Sequence, residues 1–124
     1  MTESFPANSR AAILGFHFAD RLKAGFILAS QLLEVAIHLP EPEAAGARQL
    51  YQVYLRALEQ EMSLCQSVIK DPELLRVQTV LSGLAGRVAD GQLKDVQAYL
   101  TWMITIITTY AQRSMAYLQQ QQLL

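Results

Sequence analysis

The sequence predicts an all-α protein, an antiparallel up-down four-helix bundle with a short third helix. Three observations lead there. Apolar residues recur at three- and four-residue steps along four segments, the spacing of one helix face. The four prolines stand only at Pro6, Pro40, Pro42 and Pro72, between or at the starts of those segments. No run alternates apolar and polar residues between turn signals, so no strand is expected. An arrangement of three helices, with one long rod kinked at Pro72, is the alternative.

The first helix is expected from Ser9 to Leu39, with Asn8 or Ser9 as N-cap, because a short polar side chain accepts from free backbone N–H groups. Leu14, Phe18, Gly25, Leu28, Leu32, Val35 and Leu39 form its apolar stripe, widened by Phe26, Leu33 and Ile37. Asp20, Lys23, Gln31, Glu34 and His38 take the other side. Pro40 and Pro42 end it.

The second helix, Glu43 to Ile69, sets Ala47, Tyr51, Tyr54, Leu58, Met62, Cys65 and Ile69 against a polar row of Gln49, Gln52, Arg56, Glu59, Ser63, Gln66 and Lys70. The third runs from Pro72 to Ala89. Asp71 is its N-cap, Pro72 its first residue, and Glu73 favours the positive end of the helix dipole. Leu74, Val77, Leu81, Leu84 and Val88 are its buried line, and Ser82, Gly83, Ala85 and Gly86 are small enough to admit a neighbouring helix. Asp90-Gly91 stops it. The fourth, Gln92 to Gln121, carries a coiled-coil-like seam of Val96, Leu100, Met103, Ile107, Tyr110, Ser114 and Tyr117. One domain of 124 residues follows, with residues 1–8 and 120–124 expected to fray.

Composition narrows the function classes. The formal net charge is −1 and charged residues are 17% of the chain, without a block of Lys and Arg, so the electrostatic footprint of a nucleic-acid binder is missing. The lone Cys65 cannot form an internal disulfide, and the start MTESFPANSR has no signal-peptide pattern, so the cytoplasm is the expected location.

The stretch VQAYLTWMITIITTYAQ, Val96 to Gln112, has no charged side chain. It is shorter than the roughly 20 apolar residues of a membrane span. Its polar residues Gln97, Thr101, Thr105, Thr108 and Gln112 share one face. Threonine hydroxyls there can bond back to carbonyls one turn earlier, so the face tolerates partial burial. It suits a helix wedged between neighbours of its own bundle, or a neutral contact face for another chain.

Helix lengths add a second argument. Three helices of about 40–48 Å and one of about 26 Å cannot cover one another fully. Tyr110, Met115, Tyr117 and Leu118 are expected on an overhang at one end, and Leu32, Val35, Leu39, Leu50 and Tyr51 without a fourth partner at the other. With Trp102 on a helix rim, these ten residues are the candidate interface for a second copy of the chain or a partner helix.

Chemistry finds less support. His17 with Asp20 and Glu34 with His38 share helix faces, but lie about 25 Å apart along the axis and read as surface pairs. Cys65 falls on an apolar stripe. No phosphate loop, CxxC pair or catalytic triad pattern occurs, so no cofactor, metal or catalytic residue is expected. Tyr51, Tyr54, Tyr99, Trp102, Tyr110 and Tyr117 leave open a small-molecule-binding bundle or enzyme with an aromatic pocket.

The layout of three long helices and one short one resembles small bacterial export chaperones and adaptor bundles in general outline, and no motif extends the likeness to particular residues. The expected role is a non-enzymatic interaction module, adaptor or chaperone-like, that buries apolar helix faces.

Overall fold

The computed structural model describes residues 5–123. It contains four helices, α1 (Ser9–Ile37), α2 (Glu43–Val68), α3 (Pro72–Ala89) and α4 (Leu93–Gln120). Several boundaries follow from local chemistry. The Asn8 side chain accepts from the Ala11 N–H at 2.8 Å and starts α1. Asp71 caps α3 through the Glu73 N–H at 3.0 Å, with Pro72 in the first turn where its missing N–H costs nothing. At the other end of α3 the Gln92 N–H returns to the Arg87 carbonyl and the Gly91 N–H to the Val88 carbonyl. That paired closure needs a left-handed residue, and Gly91 supplies it with φ of 77°. α4 closes the same way through Gln122, whose φ is 58°.

The helices form a ring. α1 packs on α2 and α4, and α3 packs on α2 and α4; among the described residues no Cα atoms of the diagonal pairs come within 8 Å. Short connections make sequential neighbours antiparallel. Cross-helix bonds agree with this: Arg21 Nε meets Glu61 Oε1 at 3.0 Å, whereas nearer the other end Tyr51 donates to Ala29. α2 and α3 are separate helices, each with its own cap, so the kinked three-helix arrangement does not occur.

The core is continuous along the bundle. The predicted line of α3, Leu74, Val77, Leu81, Leu84 and Val88, is fully buried. So is the seam of α4, except that Tyr117 is half-buried and Leu118 joins the interior.

α1 departs from expectation. Phe26 and Leu33 are buried as expected, but the rest of its buried face is Ala12, Gly15, Ala19, Leu22, Ala29 and Ala36, about a quarter-turn or more away from the main predicted stripe. Five of these eight are alanine or glycine. Small side chains let α1 approach closely, and the larger Leu100, Met103 and Ile107 of α4 fill the interior instead. The bulkier row Leu28, Leu32, Val35 and Leu39 is left outside.

A further expectation is corrected. Gly83 and Gly86 have nothing within 4 Å of where a Cβ would stand, so no helix approaches there. The close approach is made by Gly25, where a Cβ would stand 2.6 Å from Leu58 Cδ2. Phe5 and Pro6 are half-buried, and the Phe5 ring packs edge-on against Tyr110, with centroids 5.8 Å apart. A Cβ on Gly15 would collide with that ring. Residues 1–4 and 124, part of the segments expected to fray, lie outside the described residues.

Candidate interaction surface

The sequence-predicted interface residues separate into three groups. Leu32, Val35, Leu39 and Leu50 are exposed on the outer side of α1 and α2. Tyr51, Tyr110 and Leu118 are buried. Trp102, Met115 and Tyr117 are half-buried along α4, and Trp102 packs against the core. The overhang of α4 does exist: the Arg113 Nη1 to Asp71 Oδ2 approach of 4.0 Å places the start of α3 beside Arg113, with Ser114 to Gln120 running on. Phe5 folds back there, which is why Tyr110 has little open surface.

The α1/α2 face is built from the residue level upward. Tyr51 turns its hydroxyl inward to the Ala29 carbonyl at 2.9 Å, and Tyr54 donates to the Gly25 carbonyl at 3.1 Å. The two tyrosines hold α2 against α1 and satisfy their own polar ends, the Tyr51 ring buried and the Tyr54 ring half-buried. Above them Leu32, Val35, Ala36, Leu39, Ala47, Leu50 and Tyr51 line an open hollow of about 230 Å³. None of these residues carries a charge. Relative exposure reaches 75% at Leu50, 61% at Val35 and 60% at Val53, and Leu28 adds 44%. Single exposed apolar residues need no explanation, but a contiguous row with a recess does. Ion pairs bound the face: Arg21 with Glu61 towards one end, and Arg48 with Glu41 at 2.9 Å towards the other.

α4 presents a different outer surface. Thr101 donates to the Gln97 carbonyl, Thr105 to Thr101 and Thr109 to Thr105, each at 3.1 Å. The hydroxyls are thereby paired within the helix, and Thr101, Thr105 and Thr109 face outward. This side of α4 is not wedged between neighbours. Among the described residues no helix is long and apolar enough to cross a membrane.

The residues weighed for chemistry are dispersed. Cys65 lies in the core, where burial pushes its thiol up to about 12, so it stays protonated and acts as a small apolar side chain. His38 Nε2 and Glu34 Oε1 stand 3.4 Å apart on the surface, and Glu34 Oε2 accepts from Gln97 Nε2 of α4 at 3.0 Å. His17 stacks edge-on with Phe18. Tyr99 sits under the Arg87 guanidinium, 4.8 Å from its ring centroid, on the α3 side of α4, away from Tyr51 and Tyr54. The aromatic residues therefore occupy different helix contacts.

Leu28 and Val53 extend the exposed apolar row beyond the residues that the sequence singles out, Leu28 lying on the stripe expected to be buried. Val53 is three residues from Leu50 on α2, and that spacing was the available signal. In comparisons with known proteins, no family model, no characterised protein and no solved structure matches this chain.

Proposed function

We propose that the protein is a non-enzymatic interaction module, adaptor or chaperone-like, which works by covering the outer apolar face of α1 and α2 with a second protein molecule. One observation carries this reading. Leu28, Leu32, Val35 and Leu39 stay exposed on a helix that already buries a complete second face, and Leu50 and Val53 continue the row across an uncharged hollow. Fully burying an aliphatic side chain of this size is worth about 1.5–3 kcal/mol, so covering six of them is a substantial driving force. The partner is a second copy of the chain or an amphipathic helix of another protein laid along the groove. A reducing, cytoplasmic setting suits the lone buried thiol.

The test is the double substitution Val35→Glu, Leu50→Glu. Both sites are exposed, so helix content and melting temperature are expected to hold. The wild type should sediment above monomer mass or bind a leucine-rich amphipathic helical peptide, and the double variant should do neither. A wild type that remains monomeric at millimolar concentration and binds no such peptide would overturn the reading.

A further inference from the structure

We propose that the cleft between α1 and α4 at Gly15 and Tyr110 is a docking slot for an aromatic side chain, that Phe5 is its built-in placeholder, and that the partner it fits is an extended protein segment carrying a phenylalanine. The slot uses none of the residues of the exposed α1/α2 row, so this inference goes beyond the interaction-module reading and stands or falls separately from it.

The chemistry of the occupant is read from what already sits there. The Phe5 ring packs edge-on against Tyr110, with centroids 5.8 Å apart, and a Cβ on Gly15 would collide with the same ring. Edge-to-face contact is a preferred arrangement of two aromatic rings. Glycine weakens a helix interior relative to alanine, and at Gly15 the missing side chain is what makes room for the ring.

The placeholder is lightly held. Phe5 and Pro6 are half-buried and Ala7 is exposed. Among the described residues no hydrogen bond joins Phe5, Pro6 or Ala7 to the helices; the bonding begins at Asn8, which caps α1. Lifting the ring out of the slot therefore leaves every helix and cap intact. A segment with few buried contacts and no backbone bonds belongs to the parts of a structure that open locally at small cost. A ligand that binds the open form then shifts the population towards it.

The tether sets what such a ligand must offer. Only Pro6, Ala7 and Asn8 separate Phe5 from α1, and a short tether gives its ring an effective concentration of about millimolar order. A lone aromatic side chain of another molecule does not beat that, but a segment that gains contacts Phe5 does not make can. Tyr110 stands beside such contacts. It also lines an open hollow of about 280 Å³ with Asp71, Glu73, Ile106, Thr109 and Arg113, and Phe5 is not among the walls. A segment with its phenylalanine in the slot and a polar neighbour in the hollow holds both sides of Tyr110, whereas Phe5 holds one.

The experiment uses the full chain and a synthetic peptide of its own residues 4–10, SFPANSR. Phe5→Ala vacates the slot. That variant should bind the peptide at about millimolar concentration, read by NMR shift changes at Gly15 and Tyr110, and a peptide with alanine in place of phenylalanine should bind at least about tenfold more weakly. The wild type should also bind at least about tenfold more weakly, because its own ring competes. Phe5→Leu, which keeps apolar cover over the slot, should fall between the two. Gly15→Ala in the Phe5→Ala background should abolish binding while raising the melting temperature, which separates a filled slot from a loss of folding. A folded Phe5→Ala variant that ignores the peptide would overturn the inference, as would Phe5→Leu binding no better than the wild type, or binding that Gly15→Ala leaves unchanged. A wild-type dimer that dissociates on Phe5→Ala would place the Phe5 of a second copy in the slot and overturn the docking of an unlike partner.

Discussion

The Tyr51 hydroxyl of α2 donates to the Ala29 carbonyl oxygen of α1 at 2.9 Å, inside the bundle. That carbonyl belongs to a helical turn, so the tyrosine adds a second bond to an oxygen with two lone pairs and leaves no polar atom of its own unpaired. Tyr51 is 4% exposed, so nearly the whole ring is buried as well. The contact joins two helices whose outer sides carry the proposed interface, and it sets how Ala47, Leu50 and Tyr51 sit against Leu32 and Val35.

Tyr51→Phe keeps the ring and removes the bond. Loss of a buried neutral hydrogen bond costs about 1 kcal/mol, so the urea midpoint should fall by a corresponding amount while helix content stays the same. Tyr54→Phe, at a half-exposed site bonded at 3.1 Å, should cost less. Equal losses at the two sites would show that burial is not what gives the Tyr51 bond its weight.

Alkaline pH should weaken the fold. Burial pushes the Cys65 thiol up to about 12, and burial likewise raises the Tyr51 phenol above its ordinary range. Tyr110 is raised too, by burial first and then by the Asp71 carboxylate. In the unfolded chain a thiol loses its proton near pH 8.5. Above that pH the unfolded state binds fewer protons than the folded state, so unfolding free energy declines as pH rises. The contribution is fully present below about pH 8.5 and is lost progressively towards pH 12, at up to about 1.4 kcal/mol per pH unit for one group. Cys65→Ala should lower stability at pH 7 by opening a cavity, yet flatten the decline between pH 8.5 and 10, before the tyrosines titrate. Parallel urea midpoints for the two proteins over that range would contradict this assignment.

The ends of the helices were legible in the sequence because their chemistry is local. Asn8, Asp71-Pro72 and Asp90-Gly91 act on backbone groups within a few residues, and each does what its side chain or φ allows. α3 and α4 were legible for another reason. Each has one strongly apolar face, so there was little choice of which side to bury. α1 offers two, and the choice between them depends on α4. Ranking by size favours Leu28, Leu32, Val35 and Leu39, but the interior beside Leu100, Met103 and Ile107 has room for alanine and glycine. That volume is set by residues some 70 positions away, beyond what a helix periodicity can express. The same limit governs glycine. Gly83 and Gly25 look alike in sequence, and only the packed bundle distinguishes them. Of the candidate interface, Leu32, Val35, Leu39 and Leu50 follow from an argument about unequal helix lengths, whereas the exposure of Leu32, Val35 and Leu39 comes from this inversion of α1.

The two glycine sites should respond in opposite directions to the same change. Gly83→Ala adds a methyl group where nothing lies within 4 Å, and alanine is favoured over glycine in a helix by about 1 kcal/mol, so the melting temperature should rise. Gly25→Ala gains the same propensity but puts its Cβ 2.6 Å from Leu58 Cδ2 in the core. Overpacking costs about 1–3 kcal/mol, so the net effect should be destabilising. Leu58→Ala removes the obstructing atoms. The double variant should therefore be less destabilised than the two single variants added together, by about 1 kcal/mol. Strict additivity in denaturant unfolding would mean that α1 and α2 separate to relieve the contact.

Phe5 should matter more than a terminal residue usually does. Its ring lies between Tyr110 and the site where Gly15 lacks a side chain, and it covers the part of α4 beside the start of α3. Phe5→Ala removes a half-buried aromatic ring, and full burial of such a ring would make the loss about 3–5 kcal/mol; partial exposure reduces that to roughly 1–2 kcal/mol. Gly15→Ala should be destabilising in the wild type, because its Cβ meets the ring, and should become stabilising in the Phe5→Ala background, where only the helix propensity of alanine remains. A change of sign between backgrounds, measured by urea unfolding, is specific to this contact. If Gly15→Ala has the same effect in both, Phe5 does not hold this position in solution.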